Sequence, residues 1–147
     1  LRGVLAEFIV ASTIDVLDFP REEWDAYDLI TKDGLKIEVK SSAYLQSWKQ
    51  KELSKISFGI QPTKVWEKSD KRSTESKRQA DVYVFCLLAH KDKTTINPLD
   101  LSQWEFYILE TKVLNDKVPL QKTITLSSLL KLNPIKASYS ELASLLV

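Results

Sequence analysis

The alternation of apolar and charged side chains across residues 24–42 constrains this chain more than any other feature. WDAYDLIT (24–31) and LKIEVKSS (35–42) read as two strands joined by Lys32-Asp33-Gly34. Asp-Gly alone would suggest a two-residue turn, pairing Asp28 with Val39 and Leu29 with Glu38. That register mixes charge and hydrocarbon on both faces. A three-residue loop with Gly34 in a left-handed conformation instead pairs Asp28 with Glu38 and Leu29 with Ile37. It also sets Tyr27 against Val39 and Ala26 against Lys40. One face is then Tyr27, Leu29, Ile37 and Val39, and the other carries Asp28, Glu38 and Lys40. A one-residue slip turns every side chain over, so the apolar pattern selects the second register.

Two carboxylates directly opposite one another cost free energy unless positive charge lies between them. A divalent cation that takes oxygen ligands, such as Mg²⁺, meets that need, and Lys40 points the same way as Glu38. Its ammonium group is suited to stabilising charge on a phosphate or positioning an attacking water. A cation, two carboxylates and an ammonium group together suit phosphodiester hydrolysis. Any half-exposed strand shows the same alternation, so spacing alone leaves a merely polar face open as an alternative.

The rest of the chain places this hairpin in a mixed α/β domain. Residues 2–17 read as a helix, with Val4, Leu5, Phe8, Ile9 and residues 12–14 supplying its apolar surface. Residues 18–23, with Pro20, form a connecting loop. Further strands are expected at 56–60, 80–89 and 103–110, and helices at 126–132 and 139–147. ADVYVFCLLA is apolar on both faces, as a covered central strand requires. Ser138 and Glu141 are spaced as a capping box. The polar stretch 62–79 is expected to be partly helical near its end. Trp24, Trp104 and Tyr107 are assigned to the core.

At 147 residues, 44% hydrophobic and 28% charged, the chain has the size and composition of one folded domain spanning 1–147. Its single cysteine, Cys86, forms no internal disulfide and reads as a buried thiol, compatible with a reducing cytoplasm. One histidine, His90, excludes a two-histidine zinc site, and no G-x-S-x-G elbow accompanies it. With three glycines there is no phosphate-cradling glycine-rich loop. No apolar run approaches membrane-spanning length, and no secretory signal is expected because Glu7 interrupts the first apolar stretch. The chain opens on Leu rather than Met, so further residues are expected upstream.

Asp28 followed by Glu38-Val39-Lys40 resembles the PD-(D/E)XK nuclease superfamily, with its restriction-endonuclease-like fold. The resemblance covers most of residues 2–110, and IEVKSSAYLQSW reads like the surroundings of an active site in some bacterial members. It implies a central mixed β-sheet flanked by helices and a metal-dependent endonuclease acting on DNA, in restriction, repair or recombination. Mg²⁺ is the implied cofactor, with Mn²⁺ as its substitute. Asp28 and Glu38 would be metal ligands and Lys40 catalytic. Glu7, in LAEFIVA, matches a further helical acid that assists with metal or water. Tyr27 stands where the superfamily's name has Pro. Asp25 competes for the first acid but has the wrong parity to face Glu38. The alternative is a catalytically silent module of the same fold that binds DNA or a protein partner.

Net charge is only +1, but residues 64–78 hold six basic and three acidic side chains. Lys71, Arg72, Lys77 and Arg78 are therefore candidates for contacting DNA phosphates, with Trp66 available for stacking on a base. Gln46 and Ser41, just beyond Lys40, are candidates for touching the reacting phosphate. A homodimer would allow two sites to cut opposite strands, although no coiled-coil pattern marks an interface.

Overall fold

Seven consecutive apolar residues suit a strand covered above and below. Val82–Leu88 is that strand, buried at every position, and the rest of the fold is arranged around it. The computed structural model describes residues 1–14, 28–64 and 76–146. In chain order the described elements are α1 (Arg2–Ala11), β1 (Leu29–Ile30), β2 (Lys36–Ala43), β3 (Ser57–Gly59), β4 (Thr63–Lys64) and β5 (Ser76–Lys77). They continue with β6 (Val82–Leu88), β7 (Trp104–Glu110), α2 (Thr111–Lys117), β8 (Thr123–Thr125), α3 (Leu126–Lys131), β9 (Ile135–Ala137) and α4 (Tyr139–Leu145).

The main sheet has the order β1-β2-β6-β7-β9. Strands β2 and β6 run parallel and the other neighbours antiparallel. This is the mixed central sheet flanked by helices of a restriction-endonuclease-like α/β fold. Ile37, Val39, Val84 and Phe106 pack on one face with Ala6, Ile9 and Val10 of α1 and Leu142 of α4. Tyr83, Phe85, Tyr107 and Leu109 pack on the other with Phe58 and Ile124 of the β3–β8 ribbon, Leu114 of α2 and Leu129 of α3. Asp81 locks the entry to the central pair: its carboxylate accepts the Lys36 N–H at 2.9 Å while its own N–H donates to the Lys36 carbonyl at 2.9 Å.

Several expectations are met within two residues at either end. Strands form at 57–59, 82–88 and 104–110, helices at 126–131 and 139–145, and the Ser138/Glu141 capping box is present. Trp104, Tyr107 and Cys86 are buried, whereas Trp24 lies outside the described residues.

Others are corrected. The first helix ends at Ala11, because the Ser12 and Thr13 hydroxyls take the carbonyls of Ile9 and Val10, both at 2.7 Å. Its buried face is Ala6, Ile9 and Val10, while Val4 and Phe8 stay largely exposed. Residues 76–79, at the end of the 62–79 stretch, are not helical; 65–75 lie outside the described residues. Ser76–Lys77 is a strand, paired with Thr63–Lys64 in an antiparallel ribbon. Helix α2 and strands β8 and β9 were not expected.

Candidate active site

The hairpin adopts the register that the apolar pattern selects. Leu29 pairs with Ile37, and the Asp28 N–H donates to the Ile37 carbonyl at 3.0 Å. Thr31 closes a three-residue loop: its N–H donates to the Leu35 carbonyl at 2.9 Å, and its hydroxyl accepts the Leu35 N–H at 3.0 Å. Gly34 sits at φ +90°, where a side chain would be strained. Asp28 then faces Glu38. Tyr27, Ala26 and Asp25 lie outside the described residues.

Three side chains meet on this face. Asp28 turns one carboxylate oxygen back onto the Val39 N–H at 2.7 Å, which fixes the carboxyl group against β2. The Glu38 carboxyl group is hydrogen-bonded to that of Asp28. Lys40 Nζ lies 3.3 Å from Glu38 Oε1, with the glutamate side chain only 17% exposed. Burial, and next the charge on Asp28, push Glu38 up to about 7, against the opposing pull of Lys40. At Glu38 the pull of Lys40 is therefore outweighed by burial and by the neighbouring carboxylate.

Two further residues border the site. Tyr83 lies beside Glu38 on the neighbouring parallel strand, with its ring stacked on Phe85. Burial, and next the charge on Glu38, push its hydroxyl up to about 12, while Arg78 pulls the other way. Arg78 is itself buried. Its guanidinium donates to the carbonyls of Ile60 (2.8 Å), Pro119 (3.3 Å), Val118 (3.2 Å) and Gln121 (3.0 Å) and to Asn115 Oδ1 (3.0 Å). That engages all five of its N–H groups. It ties the end of β3, the end of α2 and the approach to β8 together behind the carboxylates.

The family model for bacteriophage T4 endonuclease IV matches residues 1–128. The chain belongs to the bacteriophage T4 endonuclease IV family. No curated protein matches it. The matched region contains the whole carboxylate–lysine cluster, so an endonuclease family, a nuclease-type fold and a polar cluster on the sheet coincide.

The structure distributes the remaining candidate residues of this endonuclease IV family member unevenly. Glu7 belongs to α1, which covers the face of Ile37 and Val39, whereas Glu38 and Lys40 occupy the opposite face. Among the described residues no three His, Cys, Asp or Glu side chains form a group able to hold a metal, so Glu7 does not complete one with Asp28 and Glu38. Ser41 has the parity of Ile37 and Val39 and also points away from the carboxylates; Ser42 has the site's parity but is buried. The Gln46 amide is taken up internally, accepting from Arg2 at 3.0 Å and donating to the Ala43 carbonyl at 3.0 Å. With Arg2 and Trp48 it lines a mainly apolar cavity of about 530 Å³ beyond the C-terminal end of β2, away from Glu38.

Arg78, expected on the DNA surface, is a buried structural group with no donor left for phosphate. Lys77, one residue earlier on β5, is exposed. Lys71, Arg72 and Trp66 lie outside the described residues. His90 hydrogen-bonds to Thr95 at 2.7 Å on the surface and takes no part in the site. No helix among the described residues is long and apolar enough to cross a membrane.

Sequence reasoning missed Tyr83 because VYVFCLLA reads as uniform core. The usable signal was its register, which only pairing of β2 with β6 reveals.

Proposed function

We propose that this chain is a Mg²⁺-dependent endonuclease of the PD-(D/E)XK type that hydrolyses DNA phosphodiester bonds, with Mn²⁺ able to replace Mg²⁺. The observation that carries this reading is the convergence of Asp28, Glu38 and Lys40 on one face of the hairpin, where burial and the charge on Asp28 outweigh the pull of Lys40 on Glu38. The donor set fits such a cation. Two hard carboxylates are what Mg²⁺ takes from a protein when water and substrate phosphate supply its other ligands. When bound, the cation supplies positive charge to the phosphoryl oxygens and acidifies water.

The chain's own residues do the rest. Asp28, anchored on the Val39 N–H, and Glu38, once deprotonated, would hold the cation through their carboxylates. Lys40, half-exposed beside Glu38, directs its ammonium group at the non-bridging oxygens of a bound phosphate or orients the attacking water. Glu7, on the far side of the sheet, has at most an indirect part in this scheme. For the DNA itself, the exposed Lys77 together with Lys71 and Arg72 is the proposed contact to backbone phosphates. The family and the chemistry fit a role in restriction, repair or recombination.

The test is cleavage of supercoiled plasmid and of single-stranded circular DNA in Mg²⁺, Mn²⁺ or EDTA, comparing wild type with Lys40→Ala and Glu38→Gln. Metal-dependent cleavage lost in both variants is expected. Cleavage surviving both would place the chemistry elsewhere. DNA binding without cleavage in wild type would mark a silent nuclease-fold module.

A further inference from the structure

A buried tyrosine normally uses its hydroxyl, because an apolar ring can be packed deep only if the polar tip finds a partner or water. Two other tyrosines follow that rule: Tyr107 donates to Glu105 at 2.8 Å, and the Tyr139 hydroxyl lies 2.8 Å from Ser12 Oγ. Tyr83 differs. It is only 4% exposed, yet its hydroxyl has no hydrogen-bond partner among the described residues and is not one of the enclosed orphan atoms. The ring is held by Phe85 at a centroid distance of 5.6 Å, so the side chain has little freedom to turn elsewhere. Its position opposite Glu38 in the parallel β2–β6 ladder puts it on the face that carries Lys40.

We propose that Tyr83 is a further catalytic residue, whose hydroxyl donates a hydrogen bond to a non-bridging oxygen of the phosphate being cleaved. This rests on the endonuclease reading and names an additional group within the same site. The attacking water gives up a proton to solvent as its oxygen bonds to phosphorus, the ester P–O bond breaks, and the departing oxygen takes up a proton from solvent. Tyr83 keeps its own proton throughout and contributes a fixed donor. Arg78 stands behind it as a positioning residue. Its charge is locked in place by five hydrogen bonds and lies within electrostatic reach of the Tyr83 hydroxyl, without itself reaching substrate. The site then presents one cation on Lys40, paired with Glu38, and one neutral donor on Tyr83.

The experiment compares wild type with Tyr83→Phe under single-turnover conditions, using DNA that carries a phosphorothioate of defined Rp or Sp configuration at the cleaved position. The Phe variant should cleave unmodified DNA roughly 10–100-fold more slowly, as expected for loss of one positioned donor. Its unfolding midpoint should not move, because the hydroxyl supports no internal contact. Sulfur is a poorer hydrogen-bond acceptor than oxygen, so wild type should slow on one diastereomer, and Tyr83→Phe should lose that part of the discrimination. 3-Fluorotyrosine at position 83 is a second probe, which keeps the donor and should retain most of the rate. Wild-type rates in Tyr83→Phe, or unchanged discrimination between diastereomers, would overturn the assignment of Tyr83 while leaving the endonuclease reading intact. A wild-type rate that Lys40→Ala does not reduce would overturn both.

Discussion

Glu38 should make the metal-free protein less stable than it would be without the charge. Its folded carboxyl group titrates at about 7 against an ordinary value of 4.5, chiefly through burial and the charge on Asp28. Between those values the folded chain binds more protons at Glu38 than the unfolded chain does, so stability falls as pH rises through the window. The favourable contribution is whole below pH 4.5 and gone above about 7. A shift of that size corresponds to about 3 kcal/mol, an upper figure because the site can relax and admit water. Glu38→Gln keeps the side-chain volume, removes the charge and can still hydrogen-bond to Asp28. The variant also loses the half-exposed pair with Lys40, worth under about 1 kcal/mol. In EDTA at pH 8, Glu38→Gln should therefore be more stable than wild type by about 2 kcal/mol. At pH 4.5 the two should agree closely. Urea unfolding at both pH values measures the difference. Added Mg²⁺ at pH 8 should then raise the wild-type midpoint and leave the variant's almost unmoved. A stability gap of the same size and sign at both pH values would refute the reasoning, since it would show that Glu38 acts by packing rather than by charge.

Three other outcomes are expected. Arg78→Met should destabilise the fold by about 3–4 kcal/mol in urea unfolding, because four backbone carbonyls and Asn115 lose a buried donor; an effect below 1 kcal/mol would remove it as the staple behind the site. Neutralising Lys71, Arg72 and Lys77 together, with Arg78 left in place, should reduce the slope of log binding constant against log salt by about 2 to 3, read by fluorescence anisotropy on labelled DNA. An unchanged slope would take this segment out of the interface. Ser41→Ala and Glu7→Gln should each retain far more cleavage rate than Glu38→Gln, since neither side chain shares the face of the carboxylates; a loss equal to that of Glu38→Gln would contradict the placement of either residue.

The hairpin was legible because its two faces differ sharply. Leu29, Ile37 and Val39 leave only one register that keeps hydrocarbon together, and Gly34 marks the loop that permits it. The central strand was legible from its length of uninterrupted apolar residues, and the last helix from its capping box. Pieces whose identity depends on partners were not. Strands β8 and β9 are three residues each, too short for any periodicity, and they exist because β3 and β7 offer them an edge. Helix α2 buries only Thr111 and Leu114, so its seven residues carry no amphipathic stripe. The same limit applied within the site. Parity assigned Asp28, Glu38 and Lys40 to one face, but proximity in sequence alone suggested Gln46 and Ser41, and parity excludes Ser41. Arg78 ended a basic run and so read as surface; only the fold shows the carbonyls that gather around it.

These placements imply a division of labour in the electrostatics. A permanently charged guanidinium is expensive to bury unless its donors are all used, and Arg78 meets that condition through neutral carbonyls rather than through a carboxylate. Its charge is therefore hydrogen-bonded, with no carboxylate pairing with it among the described residues, and its field reaches Tyr83. The carboxylates, by contrast, lie beside one another: Asp28 gives one oxygen to a backbone N–H, and Glu38, pushed up by burial and the charge on Asp28, pairs with half-exposed Lys40. A site built only for stability would have placed the guanidinium against the carboxylates. Keeping it beside the tyrosine leaves Lys40 as the cation paired with Glu38, and on the proposed reading a divalent cation would add its charge to the same pair of carboxylates.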